Sequence, residues 1–435
     1  MNVKQDISQD FEAVWHSSPA ALERQWQHAD SVLTDAANKA DKTKNAQFWL
    51  RYASLLVQRQ LWEAAVFSYT QALQVAKETA DYREILTGYE QIISAQPQAV
   101  SAWYGRSFVC ARLNQLQSAA DSLAQVVSLQ PSHTAAWLNR GFVLEQLQEW
   151  QTALDCYQQV LVLQPNHREA LIHQGISLLH LKHYQAALGI LNQAIEQFPE
   201  QELAWAAHGT ALLHLAQRKA AIASFDRALA LNFAQPQIWQ LRGSALRQLK
   251  QLAAAIVSYD RALQLAPEQP KVWLERGITL LQQANYAEAI TSFDQTLALQ
   301  PQQHTATLLR GVALLRLNRC HEAALSYQQA LKLNSQQPRI WYCQAIALER
   351  IGCYAAALKS FNHALKLRPN QHQLWRHRGR MLSHLKQYKS ALISFNHALK
   401  LKSNDYITWQ ERSQLLKQLG QVDDSISSLI QALVM

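Results

Sequence analysis

Apolar residues recur along most of this chain at helical spacing, in pairs of segments separated by short polar breaks. The stretch WQLRGSALRQLKQLAAAIVSYDRALQLAP, residues 239–267, returns 34 residues later as WLERGITLLQQANYAEAITSFDQTLALQP. We number each unit so that its tryptophan falls at position 4. Apolar residues at positions 4, 8 and 11 then share one helical face, and those at 20, 24 and 27 share another. The pattern predicts two helices per unit. Proline at position 32 (Pro131, Pro165, Pro199, Pro267, Pro301 and Pro369) stops the second helix and starts the connection to the next unit.

The register runs unbroken through ten units starting at residues 100, 134, 168, 202, 236, 270, 304, 338, 372 and 406, the last cut short by the chain end. Position 8 is Gly141, Gly175, Gly209, Gly243, Gly277, Gly311 and Gly379 in seven of them and serine or alanine in the rest. Position 20 is alanine from Ala119 through Ala391, and position 24 is large, for example Phe225, Tyr259 and Phe293. A glycine inside a helix costs about 1 kcal/mol against alanine, so its recurrence implies a steric demand. Small residues at 8 and 20 are expected to let two helices approach closely. Large residues at 4 and 24 should fill the space beside them.

These offsets of Trp, Gly, Ala, an aromatic, Ala and Pro resemble the tetratricopeptide repeat family over residues 100–435. The resemblance implies an all-α, right-handed superhelical solenoid of tandem helix-turn-helix units. One departure is systematic. Position 7, leucine in the family pattern, is Arg106, Arg140, Arg242, Arg276, Arg310, Arg378 and Arg412 here. Position 25 carries Asp226, Asp260, Asp294, Asn362 or Asn396 in several units. A tie from this arginine to the position-25 side chain is expected between the two helices; the alternative lays the arginine stem on apolar neighbours with its head in water.

Upstream the pattern loosens. Trp49, Ala65, Tyr69 and Ala72 fit an eleventh unit starting at 46, but the next in-register tryptophan, Trp103, comes 54 residues on. The expected organisation is a helical cap and linker over 1–45, an irregular unit plus an extra helix over 46–99, and the regular array over 100–435.

Composition narrows the functional classes. Of the 435 residues 49% are apolar and 17% charged, ample for a buried core. The five cysteines show neither zinc spacing nor a disulfide framework. The N-terminal MNVKQDISQDFEAVWHSS has no apolar core of a secretory signal, and no window approaches a membrane span. A cytoplasmic protein is expected. HEAAL at 321–325 lacks the second histidine of a zinc-protease helix, and no phosphate-binding glycine loop or nucleophile elbow occurs. We expect no catalytic site, cofactor or metal.

The expected role is a non-catalytic scaffold or adaptor that binds a peptide or protein in a groove. The resemblance implies that positions 2, 5, 9, 12 and 13 of each first helix line a concave surface. Carried onto this chain, those positions hold an apolar stripe that includes Phe108, Leu138, Phe142, Ile172, Ile176 and Leu213. The same residues also suit packing of one repeat on the next. Later positions turn basic: Arg316, Arg339, Arg350, Arg376, Arg380, His384 and Lys417. Residues 338–402 hold 12 Lys or Arg against one acid, Glu349, within a net charge of +9. That patch predicts an acidic protein segment as partner, with nucleic acid or another polyanion on 338–417 as the second reading.

Overall fold

The computed structural model describes residues 46–434. The cap and linker expected over 1–45 lie outside the described residues. All 23 described elements are helices, and the chain divides into two units, residues 1–231 and 232–435. The sequence register does not mark that division.

In the first unit α1 (Ala46–Gln58) and α2 (Trp62–Val75) form a pair, followed by the single helix α3 (Thr79–Ala95). Four further pairs follow: α4 (Val100–Arg112) with α5 (Leu116–Leu129), α6 (Thr134–Gln146) with α7 (Trp150–Leu163), α8 (Arg168–His180) with α9 (Tyr184–Gln197), and α10 (Glu202–His214) with α11 (Arg218–Leu231). The second unit holds α12 (Pro236–Gln248) with α13 (Leu252–Leu265), α14 (Pro270–Gln282) with α15 (Tyr286–Leu299), α16 (His304–Arg316) with α17 (Cys320–Leu333), α18 (Pro338–Arg350) with α19 (Tyr354–Leu367), α20 (His372–His384) with α21 (Tyr388–Leu401), and α22 (Tyr406–Gln418) with α23 (Val422–Val434).

Within each unit every pair packs on the next. Some first helices also touch each other across repeats, as α8 touches α10, and α14 touches α16. This second row of contacts draws the first helices together, so their outward faces form the inner surface of each unit. The turn from first to second helix is left-handed at position 15 in repeat after repeat, from Asn114 (φ 60°) and Lys250 (φ 61°) to Gly352 (φ 79°) and Gly420 (φ 75°). Glycine and asparagine suit that geometry.

The core lies between paired helices. Tyr157, Phe225, Tyr259, Phe293, Tyr327 and Phe361 at position 24 are fully buried. Each glycine at position 8 sits under such a ring or, at Gly175, under Leu191: a Cβ on Gly277 would lie 2.6 Å from Phe293, and one on Gly209 2.7 Å from Phe225. The expected steric demand is thus set by the position-24 side chain resting on the glycine. The tryptophans correct the sequence reading. Trp103, Trp137, Trp239 and Trp375 are only half-buried, and the buried residue is the one before them, such as Ala102, Ile238 or Leu374. Their indole N–H instead donates to the position-32 carbonyl of the preceding link, as Trp273 does to Pro267 at 2.9 Å and Trp375 to Pro369 at 2.7 Å. The ring locks the connection between repeats rather than filling the core.

Helix α3 explains the irregular spacing upstream. It packs against α1, α2 and α4 as one unpaired helix. Gly88 on α3 admits the Tyr69 ring, and Gly105 on α4 admits Tyr89. Tyr89 is completely buried, and its hydroxyl lies 3.1 Å from Thr70 Oγ1. Gln47 donates to Asp81 at 2.9 Å, which ties α1 to α3.

Candidate protein-binding surface

Four of the position-7 arginines, Arg276, Arg310, Arg378 and Arg412, tie one repeat to the preceding one. Arg276 donates from Nη1 to Ser292 on its own second helix (2.8 Å) and from Nε to Asp260 of the preceding repeat (2.6 Å). Arg310 does the same with Ser326 and Asp294, Arg378 with Ser394 and Asn362, and Arg412 with Ser428 and Asn396. The guanidinium also lies over the repeat's own tryptophan, 6.0 Å from the Trp273 ring centroid in the case of Arg276. The expected tie therefore exists, but it reaches position 25 of the preceding repeat, so it joins repeats rather than the two helices of one. Serine at position 23 is the partner that the sequence reading missed. Its signal was there: position 23 is serine in eight of the ten units, and Gln344 receives Ser360 and His208 meets Ser224 at the same two positions.

The apolar stripe is mostly structural. Phe108, Leu138, Phe142 and Ile172 are each no more than 7% exposed and belong to the core of the first unit. Ile176 and Leu213 are half-buried. Four of the six residues expected to present an apolar groove are thus buried, because each first helix packs against its own second helix and that of the preceding repeat.

The basic end is corrected in a different way. Arg316, Arg339, Arg350, His384 and Lys417 are exposed, with Arg350 donating to the Leu315 carbonyl at 3.3 Å and His384 stacked on Tyr354 at 4.3 Å. Arg376 and Arg380 are not open clamps. Arg380 Nε lies 2.8 Å from Glu349 Oε1, and its Nη1 lies 3.6 Å from Glu411 Oε1. Arg376 sits 3.5 Å from Asp405. Two of the three acids lie just beyond the acid-poor window and return to it through stacking of α22 on α20. These partly buried carboxylates already hold the charges that an acidic partner was expected to take.

His377 sits inside this network. It is 6% exposed, and its Nδ1 accepts from Arg380 while Nε2 lies 3.3 Å from Tyr342 Oη. Burial holds its pKa below the ordinary 6.5 despite the raising pull of Glu349. A histidine with a lowered folded pKa stabilises the fold above its unfolded pKa and loses that contribution as pH falls through the folded value. Stability of the second unit is expected to fall below pH 6.5, by at most about 1.4 kcal/mol per pH unit from this group. Glu411, pushed up by burial, works in the opposite direction. Urea unfolding at stepped pH checks this: His377→Gln should show a shallower acid-side loss than the parent.

A trough opens elsewhere, along the starts of α4, α6 and α8. One cavity of about 820 Å³ is lined by Glu63, Gln96, Pro97, Tyr104, Gln130 and His133 among others. An adjoining one of about 410 Å³ shares Tyr104, Gln130 and His133 and adds Leu138, Asn139, Gln164, His167 and Glu169. Leu138 is the predicted groove residue that meets it. Asn139 donates to the Tyr104 hydroxyl at 2.9 Å, and the Tyr104 and His133 rings lie 4.8 Å apart. His133 caps α6 by accepting the Ala136 N–H at Nδ1, whereas His167 Nδ1 lies 3.5 Å from the Ala170 N and 3.3 Å from Glu169 Oε2. In a neutral His133 ring the cap places the proton on Nε2, as a donor. Burial lowers the His133 pKa and keeps it neutral. The sequence held an unread signal: this junction position is glutamine at 201, 235, 269, 303, 337 and 371, and histidine at 133 and 167.

No helix among the described residues is long and apolar enough to cross a membrane, and no group of three or more His, Cys, Asp or Glu there could hold a metal ion. Sequence models of the tetratricopeptide repeat match residues 134–167, 169–200, 243–284, 274–338, 338–371 and 372–405, together more than half of the chain. No curated protein matches it by sequence. Among solved structures it is similar to MamA (41-end) from Desulfovibrio magneticus RS-1, at 23% identity over 39% of this chain and 96% of that one, TM-score 0.37. It is also similar to YrrB, described as a TPR protein with an unusual peptide-binding site, at 21% identity over 43% and 96%, TM-score 0.37. A chain of the APC/C hetero-tetramer Cut9-Hcn1 matches at 14% identity over 93% and 96%, TM-score 0.37.

Proposed function

The chain belongs to the tetratricopeptide repeat family, whose repeats serve protein interaction, and from that premise we propose that its first unit holds an extended segment of a partner protein in the trough along α4, α6 and α8. The observation that carries this reading is the pair of junction histidines, His133 and His167, where six other junctions have glutamine. The Nε2–H of His133 would donate to a peptide carbonyl, while His167 Nδ1 faces Glu169 and leaves its Nε2 for either role. Asn139, Gln130 and Gln164 supply amides that both donate and accept, suited to main-chain recognition. Exposed Arg316, Arg339, Arg350 and Lys417 remain available to acidic side chains of the same or another partner. The role is binding and positioning rather than catalysis.

The test is selection from a random peptide library on the full chain, followed by affinity measurement on the variant His133→Gln/His167→Gln. That variant installs the residue other junctions already carry, so the fold should survive. Selected peptides are expected to lose roughly tenfold in affinity, the size of about one lost hydrogen bond to a desolvated partner. Peptides that bind parent and variant equally would place the site elsewhere.

A further inference from the structure

Arg376 and Arg380 are neutralised, and besides the exposed Arg316, Arg339, Arg350 and Lys417 of its first helices the second unit carries a row of lysines on its second helices. Lys332, Lys366 and Lys400 occupy position 29 of three successive repeats, on α17, α19 and α21, and all are exposed. The two preceding repeats have Gln264 and Ala298 there. No Asp or Glu occurs between Glu322 and Glu349, or between Glu349 and Asp405. Glu322 is held by Arg319 at 2.7 Å, and Glu349 is turned to the Arg380 network. The segment's own acids are therefore spent away from these lysines.

The lysines do not stand alone. Position 22, seven residues back on the same helical face, carries Leu325 (59% exposed) on α17 and Ile393 (57% exposed) on α21, with exposed Lys359 there on α19. Scattered exposed aliphatics are ordinary. Here Leu325 and Ile393 share one helical face with Lys332 and Lys400, on either side of the repeat that carries Lys359 and Lys366. Phosphates of a nucleic acid would use the lysines and leave Leu325 and Ile393 idle. Base stacking is also blocked at Trp375, whose ring is covered by Arg378 on one hand and His397 on the other. A lipid surface uses both groups, since cationic heads meet anionic headgroups while aliphatic tips enter the acyl boundary. We propose that the outer face of α17, α19 and α21 binds an anionic membrane surface.

The experiment is flotation of the full chain with phosphatidylcholine vesicles, with and without phosphatidylserine. Preferential binding to the phosphatidylserine vesicles is expected, weakening with salt. Each lysine near such a surface is worth roughly fivefold in partitioning, so Lys366→Gln/Lys400→Gln should lower it roughly 25-fold. Leu325→Gln/Ile393→Gln should lower it roughly tenfold. All four positions are exposed, so both variants should keep the parent melting temperature. Equal partitioning into the two vesicle types would overturn the proposal. So would single-stranded RNA binding that depends on the lysines and ignores Leu325 and Ile393, with no vesicle binding; that result would assign the face to nucleic acid.

Discussion

Replacing Phe293 by alanine is expected to cost about 3–5 kcal/mol, because the ring is completely buried and fills the space over Gly277. Replacing Gly277 by leucine should also destabilise, by about 1–3 kcal/mol, since its first carbon alone would fall 2.6 Å from the ring. The informative variant is the pair. The new leucine would occupy the cavity left by Phe293, so the double change should be less harmful than the sum of the singles by about 1–3 kcal/mol. Gly277→Ala should cost far less than the leucine, because the repeat starting at 338 already carries Ala345 in this position below Phe361. Each repeat leans only on its neighbours, so unfolding is local. Hydrogen exchange of α14 and α15 is the measurement. Strictly additive losses in the pair would show that ring and glycine do not share one space.

Arg276→Met should cost about 2–3 kcal/mol while keeping most of the apolar stem. It removes the bonds to Ser292 and Asp260 and uncovers the Trp273 ring. Asp260 is 40% exposed, so solvent takes up part of the lost ion pair, and the estimate is kept well below that of a fully buried bridge. Arg276→Lys should recover little. A lysine carries one ammonium and cannot span Ser292 and Asp260 from a planar fork. Gln344→Ala, at the equivalent position, should cost about 1 kcal/mol or less, since Gln344 only receives Ser360. Urea unfolding followed by tryptophan fluorescence compares the three. Equal losses at 276 and 344 would mean the bridge between repeats adds nothing.

Much of this architecture was readable in advance. Position 8 glycines and position 24 aromatics recur at 34 residues, and a period that long, with apolar residues at helical spacing inside it, admits few folds other than stacked helix pairs. The extra helix α3 was visible as the lengthened gap before Trp103. The tryptophans misled, because their size suggested burial, while their indole N–H needed an acceptor and found one at the edge of the fold, in the Pro267 and Pro369 carbonyls.

The site was less legible. Phe142 and Ile172 look like groove residues on a helical wheel, yet both are buried, Phe142 against the Tyr157 and His173 rings. Arg376 and Arg380 look like free cations in a window with a single acid, yet Asp405 and Glu411 come back to them from the next repeat. The histidines at 133 and 167 broke a run of glutamines, but the His133 cap and the trough beside them needed the turn geometry.

The sequence by itself determined the repeat length, the two helices per repeat and which residues are small where the rings must fit, because these follow from periodicity within a repeat. Only the tertiary structure decided that Arg276, Arg310, Arg378 and Arg412 reach backward to the preceding repeat, that Arg376 and Arg380 are already paired, and that Lys332, Lys366 and Lys400 stand exposed on successive second helices. Those outcomes depend on side chains from 16 to about 30 residues apart in the chain, in neighbouring repeats. The way one repeat sits on the next, which no period in the sequence specifies, sets whether they meet.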